Sequence, residues 1–293
     1  MVEGFLSQFI DAYYLRITIL IGINIILALG LNLITGVTGQ LSMGHAGFMS
    51  IGAYTAAILT LKFGLPFGLA LICGAAMAGL FGFLIGIPTL RLEGDYLAMV
   101  TIGFAEIVRV FFLNFELGGK ATGLYGMIQY TNFTLVWALV IIIVILNTTL
   151  LKSRYGRAFY AIRENEIAAE AAGVNTTLMK ILVFTIGAFL AGLAGGLYAH
   201  YIGYIAPQDF GFMKSIEILN MVVLGGMGSI PGAILGSVIL TLAPEMLRIV
   251  ADYRLLFYGA LLVLLMIFRP NGLLGDIRIY DIKRRFGKKE VKS

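Results

Sequence analysis

Apolar runs long enough to cross a lipid bilayer recur along this chain of 293 residues. About 20 apolar residues span the hydrocarbon as a helix. On that ruler, segments fall at Tyr14–Ile34, Met43–Leu61, Phe67–Leu90, Tyr96–Leu113, Thr134–Leu151, Met179–Gly203, Ile216–Leu224, Ala233–Val250 and Leu255–Phe268. The expected fold is an all-α polytopic membrane protein of about nine transmembrane helices, within a range of roughly eight to ten. Ile216–Leu224 is too short to span alone unless it continues through the glycine-rich stretch that follows it. Charged residues make up 13% of the chain, against roughly 25% in soluble domains. A β-barrel would alternate apolar and polar residues, and these runs are apolar throughout. One cysteine, Cys73, leaves no disulfide framework and no zinc site. Glu3 and Asp11 precede the first basic residue, Arg16, which argues against a cleaved signal peptide.

Lysine and arginine collect on the cytoplasmic side of membrane proteins. Lys152, Arg154, Arg157, Arg163 and Lys180 cluster in one loop, and eight basic residues follow from Arg269 onward. The Asn114–Phe133 and Tyr204–Ser215 loops hold one lysine each. The basic segments are therefore expected inside, with the N-terminus outside and the C-terminus cytoplasmic. The chain divides into a membrane domain over 1–275, with a cytoplasmic loop at 152–178, and a basic cytoplasmic tail over 276–293. Such a tail sets topology and touches anionic membrane lipid; binding to nucleic acid is not expected.

Two glycine-rich stretches interrupt the apolar runs. Gly36-Val37-Thr38-Gly39-Gln40-Leu41-Ser42-Met43-Gly44-His45-Ala46-Gly47 is one, and Gly225-Gly226-Met227-Gly228-Ser229-Ile230-Pro231-Gly232 is the other. Glycine weakens a helix by about 1 kcal/mol relative to alanine. Irregular backbone at membrane depth must be covered by protein or line a cavity, since lipid cannot satisfy it. Paired breaks in two halves of a chain point to a substrate path, with Gln40, Ser42, Gly44, His45, Gly225, Gly226 and Gly228 as its candidate lining. A plain surface loop is the competing reading of the first stretch. Gly228, Gly232 and Gly236 recur at every fourth residue, a small-residue packing face.

No catalytic constellation emerges. Gly118-Gly119-Lys120-Ala121-Thr122 lacks the first glycine and the hydroxyl of a phosphate loop. In Gly226-Met227-Gly228-Ser229-Ile230-Pro231, proline stands where a dinucleotide fingerprint needs its third glycine. His45 and His200 lie on different segments without carboxylate or cysteine companions, so neither a metal site nor a cofactor is expected. Ala158–Ala172 predicts one continuous helix in the basic loop, with Arg163, Glu166 and Glu170 sharing a face and Gly173 as C-cap. It suits docking into a groove on a soluble partner or resting on the bilayer surface. Glu106 and Arg109 form an expected intramembrane ion pair in Tyr96–Leu113, and Glu245 and Arg248 repeat the spacing. Charges inside a span are costly and usually paired or functional.

Four stretches resemble the LivH/LivM family, membrane permeases of bacterial ABC importers for branched-chain amino acids. They are Thr38–Phe48, Arg91–Tyr96 with Thr101–Arg109, Gly156–Asn175, and Val223–Gly232. The second and third are similar to the LivM-type subunit. The resemblance implies a bacterial inner-membrane subunit that is no enzyme itself. Its implied partners are a second, LivH-type permease, two ABC ATPases and an external solute-binding protein. It also makes the loop helix a coupling helix, carrying Arg163, Glu164, Glu166, Glu170 and Gly173. Glu170-Ala171-Ala172-Gly173 departs from the importer signature, with glycine directly after the alanines instead of four residues on. Urea or short amides, or ion-driven transport by this chain alone, are the alternatives.

Overall fold

The computed structural model describes residues 12–89, 94–246, 259 and 272–275. Its helices are α1 (Ala12–Leu31), α2 (His45–Leu61), α3 (Phe67–Thr89), α4 (Asp95–Asn114), α5 (Phe133–Lys152), α6 (Arg154–Glu164), α7 (Glu166–Ala171), α8 (Thr176–Ile202), α9 (Phe212–Gly225) and α10 (Ile230–Met246). A π-helical turn, Asn32–Val37, prolongs α1. Five helical stretches among the described residues are long and apolar enough to cross a membrane, and His45–Leu61 and Ile230–Glu245 are shorter apolar helices.

The apolar pattern explains the layering. Ile23, Ile25, Ile26, Leu27 and Leu29 surround the inner half of α1 and are all buried, as is Asn24, which donates to Thr241 Oγ1 at 2.9 Å; a helix apolar nearly all round belongs in the centre. α1 packs on α8, α5, α9 and α10, while α2 and α3 cover the other side of α8. Backbone meets backbone there: a Cβ on Gly52 would lie 2.1 Å from the Gly192 carbonyl oxygen. Outside the bundle, Leu124–Tyr125 (β1) pairs antiparallel with Tyr204–Ile205 (β2). This ladder puts the loops after α4 and α8 at one end, which leaves α6 and α7 at the other.

Each of the first eight expected segments coincides with a helix. The ninth, Leu255–Phe268, lies outside the described residues except for Gly259, and residues 91–93, Arg248 and the 276–293 tail lie outside them altogether. One expectation is corrected: α9 gains length at its N-terminal side, from Phe212, and does not continue through the glycines. It stops because Gly226 has φ +114°, a conformation closed to a helix. At 14 residues α9 is roughly 21 Å long, short of the roughly 30 Å hydrocarbon.

Candidate functional site at two helix breaks

The first break begins where α1 widens into the π-helical turn. Thr38 Oγ1 donates to the Ile34 carbonyl at 2.7 Å, and Gln40 N donates to the same oxygen at 3.2 Å. Gly39, at φ +74°, reverses the chain between them. The irregular backbone that follows is satisfied by hydroxyls from other helices. Met43 N donates to Thr101 Oγ1 of α4 at 3.0 Å, and Ala46 N donates to Ser215 Oγ of α9 at 3.1 Å. Protein supplies what lipid cannot.

The second break is tighter. Gly226 and Gly228 both take positive φ, +114° and +88°. Ser229 begins α10 by accepting from Gly232 N at 3.2 Å, the N-cap role in which a serine is favoured. The last carbonyls of α9 are taken by a later piece of chain: Leu273 N donates to Leu224 O at 2.9 Å and Leu274 N to Gly225 O at 3.0 Å.

Asn32 ties the breaks together. Its Oδ1 accepts from Gly228 N at 2.8 Å, and its Nδ2 donates to Ser229 O at 3.4 Å. Arg163 of α6 then reaches the same point, where its Nη1 donates to the Gly36 carbonyl. A Cβ on Gly228 would lie 2.5 Å from that Nη1 and 2.9 Å from Gly36 O. One guanidinium outside the bundle therefore touches both breaks at once.

The candidate lining divides. Gly225 and Gly228 flank the junction, and Gly226 is pressed against Gly272 and Gly275. Gly44 abuts Thr101, where a Cβ would sit 2.3 Å from its carbonyl oxygen. Gln40 and Ser42 are buried, and the Gln40 amide and Ser42 hydroxyl have no protein partner among the described residues. His45 turns into the packed interior beside Gly30. Neither ring nitrogen of His45 has a hydrogen-bond partner among the described residues. Gly232 and Gly236 face the α9 backbone, as a small-residue stripe should, but Gly228 sits in the turn.

The single helix expected over Ala158–Ala172 is corrected. It breaks at Asn165, whose extended backbone (φ −162°, ψ 110°) and side chain, accepting from Ala168 N at 3.0 Å, cap α7 anew. The break takes Arg163 off the face that Glu166 and Glu170 still share within α7, and each of the three has its own anchor. Arg163 holds Gly36, Glu166 pairs with the nearly buried Lys180, and Glu170 accepts from Thr176 Oγ1 at 2.6 Å. Glu164 closes α6 on the exposed side. Gly173 caps α7 as expected, at φ +85°. Phe159, Ile162 and Ala169 root the elbow, while Ile167 stands 80% exposed.

Asn32, Thr101 and Ser215 escaped the reading from sequence. Asn32 is one of two amides, with Asn24, inside an apolar run, and that was the available signal, since a polar group in a span needs a partner. The Glu106–Arg109 pair forms as expected, with Arg109 Nε donating to both carboxylate oxygens at 3.0 and 2.9 Å.

The sequence model of the family described as "Branched-chain amino acid transport system / permease component" matches residues 13–266. The chain is 39% identical over 265 residues to the high-affinity branched-chain amino acid transport system permease protein LivM of Escherichia coli (strain K12). That match covers 78% of this chain and 62% of LivM, so the chain spans under two thirds of that relative's length. LivH of the same organism is 39% identical over 125 residues, 42% of this chain and 40% of LivH. Among solved structures, PsaBC from Streptococcus pneumoniae in complex with Fab shares the fold, with TM-score 0.51 and 14% identity over 91% of this chain and 95% of that one. With its apolar helices, the chain is an all-α, multi-pass membrane protein, and it belongs to the LivH/LivM family of branched-chain amino acid transport system permease components.

Proposed function

We propose that this chain is the LivM-type permease subunit of an ATP-driven importer for leucine, isoleucine and valine in a bacterial inner membrane. The observation that carries the mechanism is Arg163: it joins the α6–α7 elbow to both helix breaks through Gly36 and its contact with Gly228. In this reading the elbow, within 152–178 and including Glu164, Glu166, Glu170 and Gly173, docks on one of two cytoplasmic ATPases. The pathway forms with a second, LivH-type permease and receives substrate from an external solute-binding protein. About nine crossings, with the short α9 counted as one together with the protein-covered segments at its two ends, then run from an outer N-terminus to a cytoplasmic C-terminus, and the basic tail rests on anionic lipid. ATP is hydrolysed by the partners, and this chain supplies no catalytic group. When the ATPases close, the elbow moves, and Arg163 pulls on the point where the breaks meet. Gln40, Ser42, Gly44, His45 and the glycines at 225, 226 and 228 then change what the pathway exposes. Packed elements of this kind have discrete arrangements and switch between them.

Reconstitution of the complete transporter tests the reading. Leucine uptake should require ATP and the binding protein. Arg163→Ala should lower uptake per ATP hydrolysed about tenfold, the scale of one charge-assisted hydrogen bond. An unchanged uptake-to-hydrolysis ratio would remove Arg163 from the coupling. Leucine uptake by this chain alone, driven by an ion gradient, would overturn the importer reading, and urea uptake without leucine uptake would redirect it to amides.

A further inference from the structure

α4 carries Glu106 and Arg109 on a side that the described bundle leaves open. Their side chains keep 49% and 27% of their surface. Glu106 stands 11 residues after Asp95, so the pair lies roughly 16 Å along a helix about 30 Å long. Charges at that depth do not face hydrocarbon; they face a water-filled path or another chain. Met99, Ile107 and Phe111 expose apolar surface on the same helix.

A second ion pair continues the strip. α9 starts beside Arg109: a Cβ on Gly211, just before it, would lie 4.0 Å from Arg109 Cδ. Lys214 is three residues on and therefore shares the Gly211 side of α9. Its Nζ bonds Glu217 Oε2 at 3.0 Å, with 19% and 39% of the two side chains exposed. Asp209 is occupied in the 3-10 turn Pro207–Phe210 ahead of α9, accepting from Ala206 N at 2.9 Å. Phe212 and Met213 stand exposed beside the pair. Arg109 stands five residues, roughly 8 Å, before the end of α4, so this polar strip is recessed below the β1–β2 end of the bundle.

Two neutral ion pairs with separated charges, bordered by apolar side chains, match a ligand of the same design. We propose that Glu106–Arg109 and Lys214–Glu217 form a zwitterion-binding site in the pathway, taking the carboxylate and ammonium groups of an apolar α-amino acid. Arg109 and Lys214 receive the carboxylate, and Glu106 and Glu217 receive the ammonium. Exchange of partners leaves every charge compensated, which a low-dielectric path demands. Phe212 and Met213 offer the apolar side chain its surface. The inference rests on the importer reading but adds binding residues to it.

The test uses the complete complex in proteoliposomes, with leucine-loaded binding protein outside. Arg109→Gln and Glu217→Gln should each cut leucine uptake about tenfold or more, the usual yield of a charge-assisted hydrogen bond. The exchange variant Glu106→Arg with Arg109→Glu restores an ion pair with its charges transposed. It should assemble with its partner subunits like the wild type yet still transport leucine poorly, because the carboxylate would meet the wrong end. A purely structural pair predicts full uptake by the exchange variant, and that result overturns the site. If the exchange variant fails to assemble, Lys214→Gln with Glu217→Gln decides, and undiminished uptake there overturns it equally. Failure of wild-type leucine uptake counts against the importer reading itself.

Discussion

Between α1 and α2 the chain passes through a π-helical turn and the seven irregular residues 38–44, whereas between α9 and α10 it turns within the four residues 226–229. The longer break is held mainly by side chains from elsewhere, Thr101 on α4 and Ser215 on α9. The shorter one is held mainly by backbone: two positive-φ glycines, contact with Gly232, and the 272–275 segment across its carbonyls. Glycine density is similar in both, but the constraint is different. Gly36 and Gly44 in the first break also lack room for a side chain, but the second break is clamped by its own neighbouring backbone, so it acts as a fixed seat. The first owes its shape to helices that can shift, so it is the part expected to change during transport.

The largest expected effect is in the fixed seat. Gly225→Ala would put a Cβ 2.0 Å from the Gly232 carbonyl oxygen, and neither backbone can yield without parting α9 from α10. Overpacking of this kind costs about 1–3 kcal/mol and occasionally more, and the purified subunit should melt several degrees lower. A melt unchanged from wild type would show that the α9–α10 contact is loose. A middle-sized contrast comes from Gly228→Ala and Gly39→Ala. Both positions have positive φ, which costs an alanine about 1–2 kcal/mol. At Gly228 the Cβ also meets Arg163 Nη1 at 2.5 Å, while at Gly39 it finds Arg163 Cγ at 3.4 Å. Gly228→Ala should therefore reduce ATP-driven uptake by the complex well beyond Gly39→Ala; equal losses would erase the distinction between the breaks. The smallest effect belongs to Thr101→Val, which leaves Met43 N without its acceptor at a cost of about 1 kcal/mol. Hydrogen exchange should rise at residues 40–46 and stay level at 226–229, and a rise at both would mean that the breaks open as one unit.

Much of the scaffold was legible before any coordinates. The first eight segments and both glycine interruptions depend on local composition, because a span needs only its own apolar length. The Glu106–Arg109 pair was equally local, its partners being three residues apart. The elbow at Asn165 was not legible: its residues favour a helix, and the cap that breaks it competes locally on nearly equal terms. The separate anchors of Glu166 and Glu170 follow from that break and from the way α8 returns beneath it.

The amino-acid sequence by itself determined that this chain lives in a membrane, where its helices run and where two of them are interrupted. Packing decided how the interruptions are held together. Asn32 meets Gly228 across 196 positions, and Arg163 meets Gly36 across 127. No periodicity encodes separations of that size. They exist because α1, buried on every side, ends beside the start of α10, and because freed backbone groups at that depth must find partners within the protein.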